Sequence, residues 1–145
     1  MRLYLAGPLF TTAEINFNSI LGIELGWLGY EVYLPQENEP RNRTSTTVFE
    51  HDIDGLDRSD AVVANMDGPD PDSGTAWECA YAYKSNKPIV AYRTDCRGID
   101  DGKLAPFNIM LSESATKILM LPRYEVPALA EAIDKALKEI RRDSM

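Results

Sequence analysis

The densest run of reactive side chains is Asp67-Gly68-Pro69-Asp70-Pro71-Asp72-Ser73-Gly74-Thr75-Ala76-Trp77-Glu78. Two of its carboxylates, Asp72 and Glu78, are separated by a segment in which Gly74 lets the backbone turn. Thr75-Ala76-Trp77-Glu78 opens a helical pattern. That places Glu78 in the first helical turn, where the positive end of the helix dipole favours an ionised carboxylate. An ionised carboxylate is the form required of a nucleophile that attacks an anomeric carbon. The same four residues also spell a capping box, Thr-x-x-Glu, which needs no chemistry at all. Asp67, Asp70 and Asp72 lie among Gly68, Pro69 and Pro71, where turn carboxylates are ordinary. On local grounds both readings stand.

Other chemistries lack their residues. There is no Gly-x-Gly-x-x-Gly after a strand, no Gly-x-x-x-x-Gly-Lys-Ser/Thr, no His-Glu-x-x-His and no Gly-x-Ser-x-Gly. His51 is the single histidine and reads as a helix-surface or capping residue. Cys79 and Cys96 are too few and too far apart for a disulfide framework or a thiolate metal site, so no metal and no cofactor is expected. Asp52, Asp54, Asp57 and Asp60 fit a solvated helix face and a strand start, Tyr4 a core aromatic, and Asn108 a loop hydrogen-bonder.

The elements that must position these groups alternate. Residues 2–6 read as a strand stopped by Gly7-Pro8, and residues 12–29 as a helix with Phe17, Ile20, Leu21, Leu25 and Leu28 on one face. Residues 30–34 are a second strand, and the polar segment 35–47 shows no period and reads as a mobile loop. A helix over 48–58 leads to a buried strand at 60–65, and the acidic loop leads to a helix at 76–85. A strand at 88–92, a polar loop at 94–106, a short apolar segment at 107–111 and a strand at 117–121 follow. The last helix carries Val126, Leu129, Ala130, Ile133, Ala136, Leu137 and Ile140 on one face, with Pro127 in its first turn. This order implies one α/β domain over residues 1–145: a five-stranded parallel sheet with helices on both faces, flavodoxin-like or Rossmann-like. The acidic loop then sits where a strand hands over to a helix, the place where open α/β sheets bind ligands.

Composition agrees with a single domain. The chain has 145 residues, 44% hydrophobic and 26% charged, and no apolar run approaches the roughly 20 residues of a membrane span. The N-terminus lacks a signal-peptide core, so cytoplasmic residence is expected. A net charge of −8 disfavours polymeric nucleic acid as a partner and leaves small neutral ligands open.

Taken in order, four pieces of the chain resemble the nucleoside 2-deoxyribosyltransferase family. They are Leu3-Tyr4-Leu5-Ala6-Gly7-Pro8-Leu9-Phe10; Asp52-Ile53-Asp54-Gly55-Leu56 with Ser59-Asp60; Asp72-x5-Glu78 followed by Ala80-Tyr81-Ala82; and Asn108-Ile109-Met110. The resemblance implies that Glu78 is the nucleophile that displaces a base from C1′ of a 2′-deoxynucleoside, that Tyr4 orients it, and that Asp52 helps protonate the departing nitrogen. It implies that Asp72 accepts hydrogen bonds from the sugar hydroxyls, with Gly7 and Phe10 also at the substrate. Asn108 and Met110 would complete a neighbouring subunit's site, making the enzyme a homo-oligomer whose other partners are deoxynucleosides and free bases. The related nucleotide N-glycosidases carry a serine at the position of Asp72, and a carboxylate there would repel a 5′-phosphate. The chain departs from the family at its end, where a basic helix replaces an aromatic-rich tail. Two alternatives remain: an N-glycosidase acting on a deoxynucleoside monophosphate or modified nucleoside, and, more remotely, a non-enzymatic flavodoxin-like or receiver-like binding domain.

Overall fold

The computed structural model describes residues 1–98 and 100–145; Ile99, within the segment read as a polar loop, lies outside the described residues. Five strands run in parallel: β1 (Arg2–Ala6), β2 (Glu31–Tyr33), β3 (Ala61–Asn65), β4 (Ile89–Arg93) and β5 (Lys117–Met120). The order across the sheet is β2-β1-β3-β4-β5. Helices α1 (Thr12–Trp27) and α5 (Val126–Asp143) cover one face. Helices α2 (Ser45–Arg58), α3 (Ser73–Lys84) and α4 (Ile109–Ser114) cover the other. The chain leaves β1 toward one edge and β3 toward the other, so the gap between the ends of β1 and β3 is the switch point at which such sheets form crevices.

Strand alternation decides which side chains face the crevice helices. On β1, Leu3 and Leu5 join the core under α1 and α5, whereas Tyr4 and Ala6 join the core under α2 and α3. Tyr4 is therefore sent to the α3 side by its position alone. Its register partner on β2 is Tyr33, which points the same way, and the two rings stack with centroids 5.2 Å apart and planes 13° apart. A Cβ on Gly55 of α2 would lie 2.6 Å from the Tyr33 ring, so only glycine lets this helix approach the stacked pair.

Several boundaries differ from the sequence reading. Segment 35–47 is not wholly irregular: Pro35–Glu37 forms a 3-10 turn, and α2 begins at Ser45. That helix start is set by Thr44 and Thr47, whose side chains cap each other's backbone N–H groups, with threonine in the place where a capping box usually has Glu or Gln. Ile20 on α1 and Leu28 at its C-cap are 47% and 42% exposed, while Asn18 takes a buried place on the helix. The segment 107–111 supplies the buried Phe107 and the start of α4. No described helix is long and apolar enough to cross a membrane.

Gly55→Ala gains about 1 kcal/mol of intrinsic helix propensity but forces a methyl into the Tyr33 ring, which costs about 1–3 kcal/mol. Overpacking is the larger effect. Thermal denaturation of Gly55→Ala should show a lowered Tm, and combining it with Tyr33→Leu should recover part of the loss.

Candidate active site

At the carboxyl ends of β1 and β3 the loops enclose a cavity of about 280 Å³ whose lining includes Gly7, Phe10, Asp52, Asp72 and Glu78. The floor is the Tyr4–Glu78 contact: the Tyr4 hydroxyl, on a side chain with no solvent exposure, donates to Glu78 Oε1 at 2.6 Å. Burial, and then the adjoining Glu78 charge, hold the Tyr4 phenol well above its ordinary value, so it stays protonated and remains a donor. Six of the eight residues singled out from the sequence thus meet in one place: Tyr4, Gly7, Phe10, Asp52, Asp72 and Glu78.

Asn108 and Met110 do not join them. They line a separate groove of about 770 Å³ between α3 and α4, where Asn108 caps α4 by accepting from the Met110 N–H at 3.0 Å. Met110 is 77% exposed.

The local account of Glu78 needs correction. The cap of α3 is Asp72, whose Oδ2 accepts from the Thr75 N–H at 2.9 Å and from the Thr75 hydroxyl at 3.1 Å. Thr75 is inside the helix, and Glu78 lies in the second turn, beyond the main reach of the dipole. Burial dominates instead and, with the nearby charges of Asp52 and Asp72 added, pushes the Glu78 carboxyl up to about 8 against the pull of the Tyr4 hydrogen bond. Burial likewise raises Asp52, opposed by the Tyr33 hydroxyl. Glu78 and Asp52 are thus both held above their ordinary values in one site, and for both burial is the largest cause.

The loops bearing these groups are fastened from below. Arg93 at the end of β4 is 1% exposed and donates to the carbonyls of Met66 (2.5 Å), Gly68 (2.9 Å) and Arg97 (2.8 Å). Asp67 accepts from the Thr94 and Asp95 N–H groups at 2.6 and 2.8 Å and from the Thr94 hydroxyl at 2.6 Å. The loop ending at Asp72 is thus tied to the next strand. On the other rim, Asn18 Nδ2 donates to the Pro8 carbonyl at 2.9 Å and to Gln36 Oε1 at 3.0 Å, and Gln36 donates onward to the Ile15 carbonyl. Asn18 and Gln36 escaped the sequence reading; a polar residue on the buried stripe of α1 was the available signal.

A second cleft of about 420 Å³ opens between α2 and α3, also reaching Asp52 and Glu78 and walled by Phe49, Ile53, Leu56 and Trp77. Phe49 meets Trp77 edge-on, and Trp77 stacks on Tyr81. Behind Glu78, the Cys79 thiol is pushed up to about 12 by burial, which leaves it inert beside the carboxylate. No three His, Cys, Asp or Glu side chains among the described residues are grouped to hold a metal ion.

The stability linkage of Glu78 has a definite sign. Its folded value, about 8, lies above the ordinary 4.5, so the folded state retains a proton that the unfolded state loses. Stability is unaffected below about pH 4.5, falls as pH rises from there to about 8, and carries the full cost above that. Glu78→Gln, which keeps an acceptor for Tyr4, should raise Tm at pH 9 and leave it unchanged near pH 4, as read by thermal denaturation.

The family model described as nucleoside 2-deoxyribosyltransferase matches residues 3–117. A conserved protein of Enterococcus faecalis V583 is similar at 27% identity and a TM-score of 0.74, over 93% of this chain and 98% of that one. The 2-deoxyribosyltransferase of Bacillus psychrosaccharolyticus is similar at 25% identity and a TM-score of 0.70, over 90% of both chains. The 2-deoxyribosyltransferase of Leishmania mexicana shares the fold at 24% identity and a TM-score of 0.65, over 92% of this chain and 97% of that one. No curated protein matches the sequence significantly. With its match extending over most of the chain, from the Tyr4 strand past Asn108 and Met110, the protein belongs to the nucleoside 2-deoxyribosyltransferase family.

Proposed function

We propose that the protein exchanges nucleobases on 2′-deoxynucleosides through a covalent deoxyribosyl ester of Glu78, with net retention at C1′. The observation that carries this reading is the buried Tyr4 hydroxyl donating to Glu78 in a cavity that Asp52 and Asp72 share. In the first step an ionised Glu78 oxygen attacks C1′. The C1′–N bond breaks with its electron pair going to the base nitrogen, and Asp52 supplies the proton that neutralises it. A second base then attacks C1′ through nitrogen, the ester C–O bond breaks, Glu78 is released and Asp52 takes back a proton. Two inversions give retention. Tyr4 serves by holding the carboxylate oxygen and spreading its charge, a task its raised pKa fits.

Asp72 fits the role of sugar anchor. Its Oδ2 is taken by the helix cap, while its Oδ1 accepts no hydrogen bond from the described residues and remains available to a sugar hydroxyl. Two unit charges about 4 Å apart at an effective dielectric near 20 repel by about 4 kcal/mol, so a 5′-phosphate would be disfavoured beside it. The substrates are accordingly nucleosides with a free 5′-hydroxyl, handled without a cofactor in the cytoplasm. Asn108 and Met110 are assigned to the cavity of a second subunit in a homo-oligomer, in keeping with the exposure of Met110 and with their lining a groove other than their own chain's cavity.

Incubation with deoxythymidine and adenine should yield deoxyadenosine and thymine by chromatography, and Glu78→Ala should lower the rate by roughly 10³-fold or more. Free deoxyribose without a new nucleoside would instead assign hydrolysis, the N-glycosidase reading. Because kcat/KM follows the free enzyme's ionisations, it should rise with pH through an acid limb near 8, where Glu78 ionises.

A further inference from the structure

We propose that Tyr33, which lines neither the cavity nor the adjoining cleft, is a positioning residue that sets Tyr4 and Asp52 in place for Glu78. The proposal rests on the base-exchange reading of that site, and its geometric part can be tested apart from it.

Three contacts carry it. Tyr33 is the register partner of Tyr4 on the neighbouring strand, and parallel strands about 4.8 Å apart bring two rings on one face into stacking distance. The observed 5.2 Å separation and 13° tilt leave the Tyr4 ring no freedom on that side. Its hydroxyl is thereby confined to the point 2.6 Å from Glu78 Oε1. The second contact is at the other end of Tyr33, whose hydroxyl is 3.0 Å from the His51 carbonyl and 3.5 Å from Asp52 Oδ1. One proton serves two acceptors, so the hydroxyl holds the α2 turn that carries Asp52 and can turn to the carboxylate when Asp52 ionises. The third is Gly55, whose missing side chain is what allows α2 to sit on the Tyr33 ring. Asp52 and Glu78 come from different helices, and the Tyr4–Tyr33 stack is the rigid piece common to both.

A buried tyrosine of the core would make the same stack without serving the chemistry, so the hydroxyl and the ring must be separated. Around Asp52 stand Tyr33, His51 and Glu39, with Tyr4 and Glu78 across from it. Arg43 and Asp72 share the cavity, while Arg2 and Asp54 act on Tyr33. Of these, Tyr33 is the hydrogen-bond donor that favours ionised Asp52. Removing its hydroxyl raises the Asp52 midpoint further above the ordinary carboxylate value.

The test uses Tyr33→Phe, which keeps the ring, and Tyr33→Leu, which removes it. The Asp52 carboxyl is titrated by carbon-detected NMR in the substrate-free protein, alongside kcat and KM for base exchange and thermal denaturation. In Tyr33→Phe the Asp52 midpoint should rise by about half a pH unit or more. Its kcat should fall about 10-fold with KM within about twofold, and in Tyr33→Leu kcat should fall about 100-fold. A Tyr33→Phe protein with an unmoved Asp52 midpoint and an unchanged kcat overturns the proposal and leaves Tyr33 a core residue. If Tyr33→Leu fails to fold, Tyr33→Phe decides alone. If the wild-type protein exchanges no bases, the functional reading falls, and the NMR midpoint still decides whether Tyr33 governs Asp52.

Discussion

The rest of the site depends on one hydrogen bond, from the Tyr4 hydroxyl to Glu78 Oε1 at 2.6 Å. It places a neutral, tightly held donor against a carboxyl that burial and two neighbouring acids drive toward its protonated form. Without that donor no group among the described residues offsets the cost of ionising Glu78, because desolvation disfavours a buried charge and like charges add to the penalty. Such a carboxyl is poorly stabilised in the resting protein and correspondingly reactive once ionised, since it is only partly exposed and no cation among the described residues forms a salt bridge with it. The fold spends stability here, as functional sites commonly do.

The sheet is the means by which the bond is held. Alternation along β1 sends Tyr4 toward α3, parallel pairing with β2 braces it with Tyr33, and the topological switch between β1 and β3 opens the crevice above. Buried polar anchors then fix the loops. Arg93 and Asp67 bind the acidic loop to the end of β4, and Asn18 with Gln36 binds the Gly7-Pro8 turn to the segment after β2. Each anchor satisfies backbone groups that would otherwise be buried without partners, so the loops are shaped by the hydrogen bonds they must make.

Much of this was legible in the sequence. The alternation of strands and helices implies the parallel sheet that is found, and five of the residues singled out, Gly7, Phe10, Asp52, Asp72 and Glu78, line one cavity, with Tyr4 buried beneath it and bonded to Glu78. The start of α3 was misread because two capping patterns overlap: Thr75-x-x-Glu78 fits the usual signature, but Asp72 three residues before Thr75 outcompetes it as the cap. The apolar period begins only after Ser73 and Gly74, which hid the first turn. The Tyr33 stack was out of reach for another reason. Strand register and the approach of Gly55 are set by pairing between distant segments, and a single sequence carries no local mark of either. Asn108 and Met110 likewise fall in a groove of their own, apart from the lining of the Glu78 cavity.

The central claim is that Glu78 becomes covalently bonded to the sugar. Mass spectrometry of the protein quenched during reaction with a 2′-deoxynucleoside, followed by peptide mapping, tests it directly. The account predicts one deoxyribosyl group, released by added base, on the peptide and side chain of Glu78. Attachment at any other residue, or turnover with no adduct under conditions where release is slowed, would contradict it.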